Sequence, residues 1–384
     1  MRRILLLVGA IVLVDTIFFS ALTPLLPHYS DSLGLGKTGA GALAGAYPAG
    51  CLLGAIPSGV VAARWGVKPT VLVGLLAVAF CTVLFGFGTE AWQLDLARFA
   101  QGVASTFSWT GGLAWLVAVS PASRRGELIG QAFAAAVAGS LLGPVLGAIA
   151  SVGGTRWTFS AVGMLELVLA AWAIATPAER PEQAQGPGVF LRSLGDAPMI
   201  AGIWFVVLPA LLFGTLGVLV PLRLSALGFG AIAIGAAFLG SSALETVNNT
   251  ILGKLADRHG TTPLLLFGLA LSAVVAVVLP WPANPYVLSA LVVVAGVAFG
   301  GFYTPGMTRL SHLSEERGLD HGYTFALVSL AWAPGQTLGA AGSGALAHAT
   351  ADAVPYVTLS ALCVLTFAAL ARRRAAVTAA AAAG

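Results

Sequence analysis

The chain has 384 residues, of which 58% are hydrophobic and only 9% charged, with a net charge of +4 and a mean hydropathy of +0.92. A soluble domain carries about 25% charged residues, so the composition excludes an ordinary soluble fold and leaves an all-α polytopic membrane protein. The 48 glycines suit close helix–helix approach in lipid. Cys51, Cys81 and Cys363 lie in apolar runs, with neither metal spacing nor a disulfide framework.

Twelve apolar segments have spanning length: 4–26, 39–62, 70–88, 93–118, 127–151, 157–176, 199–222, 228–252, 263–280, 286–308, 322–346 and 354–371. The start, Met1-Arg2-Arg3 before an apolar run, mimics a signal peptide but lacks a small-x-small cleavage site, so it reads as an uncleaved first span. Connections are short except Thr176 to Pro198, which is polar and rich in Pro and Gly. The chain thus divides into a six-helix half (1–176), a linker (177–198), a second six-helix half (199–371) and an Ala-rich tail (372–384) expected to be disordered or a loose helix.

Placing the N-terminus in the cytoplasm puts 15 of the 19 Lys and Arg residues on that side. Lys37, Arg156 and Arg223 fall outside, and Arg98 lies within the fourth span. The positive-inside rule selects this orientation, and an even span count returns the C-terminus to the cytoplasm. The expected location is the plasma (inner) membrane.

The halves repeat. With a shift of 192 residues, Arg125, Gly126, Gly130, Phe133, Ala134, Gly143, Gly147 and Ala148 fall on Arg317, Gly318, Gly322, Phe325, Ala326, Gly335, Gly339 and Ala340. With a shift of 194, Gly59, Arg64, Gly66 and Pro69 fall on Gly253, Arg258, Gly260 and Pro263. Parallel six-span repeats about an axis along the membrane normal are the architecture of one large transporter class.

Ionisable groups inside spans are the candidate site. Asp15 sits mid-way along the first span, where a charge costs about 2.5–3.5 kcal/mol on insertion scales. It shares a helix face with Phe18, Phe19 and Leu22, and Pro24 and Pro27 are expected to bend or end that helix. The alternative for Asp15 is a helix-packing acid bonded to a neighbour. Arg98 shares a face with Gln101, Gly102, Ser105 and Trp109; its alternatives are a structural pair with Asp95 or snorkelling to the surface. Glu245 carries a polar stripe of Ser241, Ser242, Asn248 and Asn249, which must face the interior or water. Glu166 has Gly163 and Ala170 on its face, and structural and functional readings of it stand level. Trp109, Trp204, Phe302 and Tyr303 are candidate cavity aromatics, against the commoner roles of packing and interfacial belt.

Four stretches resemble the major facilitator superfamily. Gly253-Lys254-Leu255-Ala256-Asp257-Arg258-His259-Gly260 is close to its G-x-x-x-D-R-x-G loop, and Gly59 to Gly66 is the partner copy, with Ala63 where the pattern wants Asp. Arg98-Phe99-Ala100-Gln101-Gly102 is similar to its R-x-x-Q-G motif. Gly139, Gly143, Pro144 and Gly147 stand in a G-x-x-x-G-P-x-x-G pattern typical of antiporters. Asp15 followed by Pro24 and Pro27 looks like the opening of twelve-span drug:proton antiporters and vesicular amine transporters.

The resemblance implies two halves that rock to give alternating access, and a fifth span that seals one side against leak. It implies a cytoplasmic loop latch (Gly59, Arg64, Gly66, Gly253, Asp257, Arg258, Gly260) and Arg98 coupled to protons beside Asp15. It also implies export of small amphiphilic molecules, cationic ones among them, in exchange for protons. The expected partners are substrate, protons and the lipid bilayer, with no nucleic acid, and a monomer is expected to suffice. An importer or facilitator of a sugar, nutrient or metabolite is the alternative on the same fold. An enzyme is the remote one, since His28, His259, His312, His321 and His348 lie in or near loops, without an H-E-x-x-H motif. Neither cofactor, metal site nor catalytic residue is expected.

Overall fold

The computed structural model describes the backbone of residues 1–121, 124–177, 196–319 and 321–383, and within them all side chains except those of 126, 250, 253, 254, 256, 257, 259, 321–326 and 376–383. These residues form twelve long helices: α1 (Arg2–Leu33), α2 (Gly36–Trp65), α3 (Val67–Phe87), α4 (Ala91–Ala118), α5 (Arg125–Gly153), α6 (Thr155–Ile174), α7 (Ala197–Ala226), α8 (Ala231–His259), α9 (Thr261–Val278), α10 (Pro285–Glu316), α11 and α12 (Ala353–Ala383). Helix α11 is a composite: His321–Thr337, a π-helical turn at Leu338–Gly342, and Ser343–Ala349. Among the described residues there is no strand. The fold is an all-α polytopic bundle.

Ten of the helices are long and apolar enough to cross a membrane by length and composition alone. The other two are α4, which carries Asp95, Arg98 and Gln101, and the interrupted α11. Both pack inside the bundle, α4 against α2 and α3, and α11 against α2 and α7. In lipid a helix satisfies its own backbone polar groups, which is why apolar segments of this length take that form.

Most helices overrun the apolar segments that announce them. The clearest correction is α1: Pro24 and Pro27 do not end it, and both are buried inside a helix that continues to Leu33. It stops at Gly34, whose left-handed backbone (φ 61°) lets its N–H reach the Ser30 carbonyl. Two links between helices depend on the same freedom. Gly66 (φ 93°) joins α2 to α3 and Gly260 (φ 76°) joins α8 to α9, and these are the glycines that the 194-residue repeat superimposes. The Ala-rich tail continues α12 rather than leaving the bundle as an irregular coil.

Helices α1 to α6 pack mainly among themselves, through α1–α5, α2–α4, α3–α4 and α3–α6, and α7 to α12 do so through α7–α10, α7–α11, α8–α10, α9–α10 and α9–α12. The two groups meet along α2–α11 and α5–α8. Alternating helix directions leave the chain termini at one end of the bundle, the terminal end. At the opposite, far end, exposed Trp92, Trp157, Trp281 and Tyr286 stand at the α3–α4, α5–α6 and α9–α10 corners, as an interfacial aromatic belt requires.

At the terminal end, Lys68 Nζ donates to the Ile174 carbonyl (2.6 Å) and the Thr176 carbonyl (3.0 Å), closing the C-terminus of α6. Arg317 Nε donates to Asp196 at 2.7 Å and ties the start of α7 to the end of α10. At the far end, Lys37 and Asp352 form an ion pair between the α1–α2 and α11–α12 links.

Candidate functional site

Asp15 is 5% exposed at the meeting of α1, α2 and α4. Its Oδ2 accepts three hydrogen bonds, each of 2.8 Å: from the Tyr47 hydroxyl of α2, the Ser105 hydroxyl of α4 and the Trp109 indole N–H of α4. The hydroxyls of Tyr47 and Ser105 are themselves 2.7 Å apart. Ser105 and Trp109 are one helical turn apart, so one face of α4 presents both donors. A buried carboxylate cradled this way is compensated by charge-assisted hydrogen bonds, about twice as strong as neutral ones.

Arg98 lies beside this cradle and is 1% exposed. Four rings surround its guanidinium, with Cζ 5.0 Å from the Tyr47 centroid, 5.2 Å from Phe18, 5.7 Å from Phe85 and 5.9 Å from Phe19. It donates to Gln101 Oε1 (3.2 Å) and to the Phe19 carbonyl (3.3 Å), while its Nε lacks a partner among the described residues. Gln101 passes the chain on to the Thr82 hydroxyl of α3 at 2.8 Å. Ring quadrupoles favour a desolvated cation, and here they stand in for much of the water that burial removes. No ion pair joins Arg98 to Asp15 or to Asp95 among the described residues, and Tyr47 is the side chain that touches both Arg98 and Asp15.

A cavity of about 270 Å³ lies between the two helix groups. Phe19, Ser20 and Thr23 of α1, Arg98 of α4 and Ser140 and Pro144 of α5 form one wall. Phe213 of α7, Phe238, Ser241, Ser242 and Glu245 of α8, Tyr303 of α10, and Trp332 and Gln336 of α11 form the other. Glu245 is the acid in this lining, and Asp15 is absent from it. Asn249, one turn along α8, hydrogen-bonds Glu245 and accepts in turn from Thr304 at 2.9 Å. Gly300 of α10 leaves room for the acid: a methyl there would stand 2.8 Å from Glu245 Cγ.

The geometry sorts the sequence candidates. Asp15, Arg98, Gln101 and Trp109 form one network, and Phe18 packs edge-on against Phe85 and Phe159 beside it. Phe19, Glu245 and Tyr303 line the cavity. Of the four aromatics expected at the cavity, Tyr303 lines it, and Trp109 points to Asp15 instead. Trp204 lies between α7 and α12 with its indole N–H on Thr366 (3.0 Å), and Phe302 is fully buried against Gly268 of α9. Asn248 donates to the Val297 carbonyl, tying α8 to α10. Glu166 is 1% exposed in α6, outside the cavity lining, with no hydrogen-bond partner among the described residues.

Sequence reading missed Tyr47, Trp332 and Gln336. Tyr47 had one available cue, a hydroxyl-bearing ring beside Pro48 in an otherwise Gly- and Ala-rich span.

The fifth-span glycines face α1. A methyl at Gly139 would lie 2.6 Å from the Leu13 carbonyl oxygen, one at Gly143 2.7 Å from that of Ile17, and one at Gly147 would overlap that of Ala21. Pro144 faces the other group, where its carbonyl oxygen would lie 2.9 Å from a methyl at Gly235 of α8. Gly41 and Gly45 of α2 meet Ala340, Ala341 and Gly344 of α11 in the same way, nearer the far end. Small residues thus let the backbones of the two groups touch. In the loop motifs, Arg64 and Arg258 are exposed, while the surroundings of Gly253 and the side chain of Asp257 lie outside what the structure describes. No group of three or more His, Cys, Asp or Glu among the described residues can hold a metal ion.

Comparison with known proteins agrees with this architecture. The Major Facilitator Superfamily description matches residues 8–244 and 203–383. The chain is 24% identical over 326 residues to Multidrug resistance protein 1 of Bacillus subtilis, covering 82% of each chain. It is 24% identical over 303 residues to the Synaptic vesicular amine transporter of Homo sapiens, covering 76% of this chain and 58% of that one. It is 25% identical over 298 residues to the human Chromaffin granule amine transporter, covering 74% of this chain and 56% of that one. The chain therefore spans somewhat over half the length of these amine transporters. With its helices, its repeated corner glycines and these matches together, the chain belongs to the Major Facilitator Superfamily of transporters.

Proposed function

We propose that this protein is a proton-coupled secondary active exporter of small amphiphilic molecules, cationic ones included. It works in the cell membrane as a monomer, with both termini cytoplasmic. The observation that carries the reading is the Asp15 cradle. All three donors converge on Oδ2, so Oδ1 is the oxygen left to take up a proton while the cradle stays assembled. Arg98 is itself on the cavity wall and adjoins the acid through the Tyr47 ring, which bonds Asp15.

With the termini inside, the far end faces outward. The ion pair Lys37–Asp352 and the α2–α11 and α5–α8 contacts then close the outer side, so the arrangement corresponds to an inward-facing carrier awaiting substrate. Rocking the two helix groups about the cavity exposes it to the outside, and protonation of a carboxyl on the path resets the cycle. The relatives, a multidrug resistance protein and amine transporters by name, support this substrate class. The loop latch on Asp257 belongs to the same proposal.

The test is transport into inverted membrane vesicles. An acid-inside proton gradient, directed outward across them, should drive accumulation of a lipophilic dye, and a protonophore should abolish it. Accumulation that is unchanged after the gradient is collapsed overturns proton coupling.

A further inference from the structure

The geometry points to a protonated-amine site on the α8–α11 wall of the cavity, formed by Glu245 and Gln336, with Asp15 taking no part in holding the substrate. This deepens the exporter reading and rests on its assumption that the cavity is the transport site.

Four observations converge. First, Glu245 is the acid in the cavity lining, whereas Asp15 is outside that lining and already occupied by three donors. Second, Gln336 lines the same cavity, and its Oε1 is buried without any donor among the described residues. A buried acceptor left unpaired costs about 1–3 kcal/mol, so the site is incomplete until something donates to it. Third, the π-helical turn at Leu338–Gly342 begins two residues beyond Gln336, and Thr215 of α7 donates to its Gly339 carbonyl at 3.1 Å. Such turns are frequent at functional sites, and this one is pinned by a neighbouring helix. Fourth, the opposite wall carries Arg98, so the cavity has a cationic side and an anionic side. A ligand with one positive end is oriented by that field, its charge toward Glu245.

The donors needed define the ligand's chemistry. Glu245 accepts hydrogen bonds and attracts charge; Gln336 Oε1 accepts only a hydrogen bond. A primary ammonium satisfies both. A quaternary ammonium carries the charge but has no N–H, so it leaves Gln336 unpaired. Phe19, Phe213, Phe238, Tyr303 and Trp332 supply apolar and aromatic surface for the rest of the molecule. At about 270 Å³ the cavity lies just below the range of about 300–1,000 Å³ typical of drug pockets, which favours one or two fused rings.

Equilibrium binding tests this without a proton gradient, so its failure is separate from failure of the exporter reading in vesicles. The full chain in nanodiscs is titrated by calorimetry with naphthylethylamine, its N,N,N-trimethyl ammonium analogue and the corresponding neutral alcohol. The parent should bind the amine roughly fivefold more tightly than the quaternary ion and roughly thirtyfold more tightly than the alcohol. Glu245→Gln should erase the preference for charge while keeping the affinity for the alcohol, which also reports an intact cavity. Gln336→Ala should erase only the preference for the amine over the quaternary ion, and Asp15→Asn should keep both preferences. Equal binding of amine and alcohol by the parent, or no binding of any of the three, overturns the proposal. So does loss of the charge preference in Asp15→Asn with its retention in Glu245→Gln.

Discussion

Asp15 and Glu245 are both carboxylic acids within spans, and the two helix groups hold them in opposite ways. Asp15 is enclosed: three donors from two helices saturate one oxygen, and an arginine caged by four rings stands behind Tyr47. Glu245 is presented to a cavity, with Asn249 at its side and an unpaired amide oxygen across the same space. An enclosed acid can exchange a proton, which is small and needs no room. An acid on a cavity wall can also meet an organic cation. The contrast separates two tasks that a single carboxylate could otherwise perform in turn.

The largest expected effect comes from Asp15→Asn. The amide keeps the shape of the cradle and removes the group that gains and loses a proton. Gradient-driven accumulation in inverted vesicles should fall to background. Exchange of labelled for unlabelled substrate, which needs no net proton movement, should persist. Parent-like accumulation by this variant would make Asp15 a packing acid and break the comparison.

Tyr47→Phe should act less severely. The ring against Arg98 and Phe19 remains, and only the hydroxyl on Asp15 is lost. A hydrogen bond to a charged group contributes about 1.5–3 kcal/mol, so proton-driven turnover should fall by roughly ten- to a hundredfold. Amine affinity should stay within about twofold, because Tyr47 is not on the cavity wall. A loss of affinity in step with turnover would show that the two acids form one site.

How much of this was legible in the sequence follows from what kind of information each feature carries. The span pattern, the glycines at 66 and 260, and the in-span charges at Asp15, Arg98 and Glu245 are local: each is visible as a residue type out of keeping with its surroundings. The Gly139, Gly143 and Gly147 stripe is also local, and its close contact with α1 follows from periodicity once a partner exists. The partner does not follow. Tyr47 lies in a helix where Gly and Ala occupy most faces, so no periodicity marks which side is inside. Its role arises from α1 and α4 meeting it at residues 32 and 58 positions away. Gln336 is a single polar residue near Pro334 with no pattern around it; the π-helical turn beside it and the missing donor are properties of packing. Trp204 shows the converse error: an aromatic assigned to the cavity by its helix turned instead to Thr366.

The smallest effect is expected at the far end, where Lys37 and Asp352 join the two helix groups. Their side chains are 39% and 30% exposed, so water and salt screen the pair. Exposed ion pairs of this kind contribute about 0–1 kcal/mol. Lys37→Ala should therefore move the balance between far-end-closed and far-end-open forms by no more than about fivefold. The direction is toward opening, because the pair exists only while the ends are together. Fluorophores on cysteines introduced at the exposed positions 38 and 351 would report the distance change, and raising salt on the parent should reproduce part of it. The backbone contacts of Gly41 and Gly45 with α11 remain in this variant, and they bring uncharged surfaces together. A change much larger than fivefold would mean that the charge pair, rather than this small-residue seam, holds the far end shut.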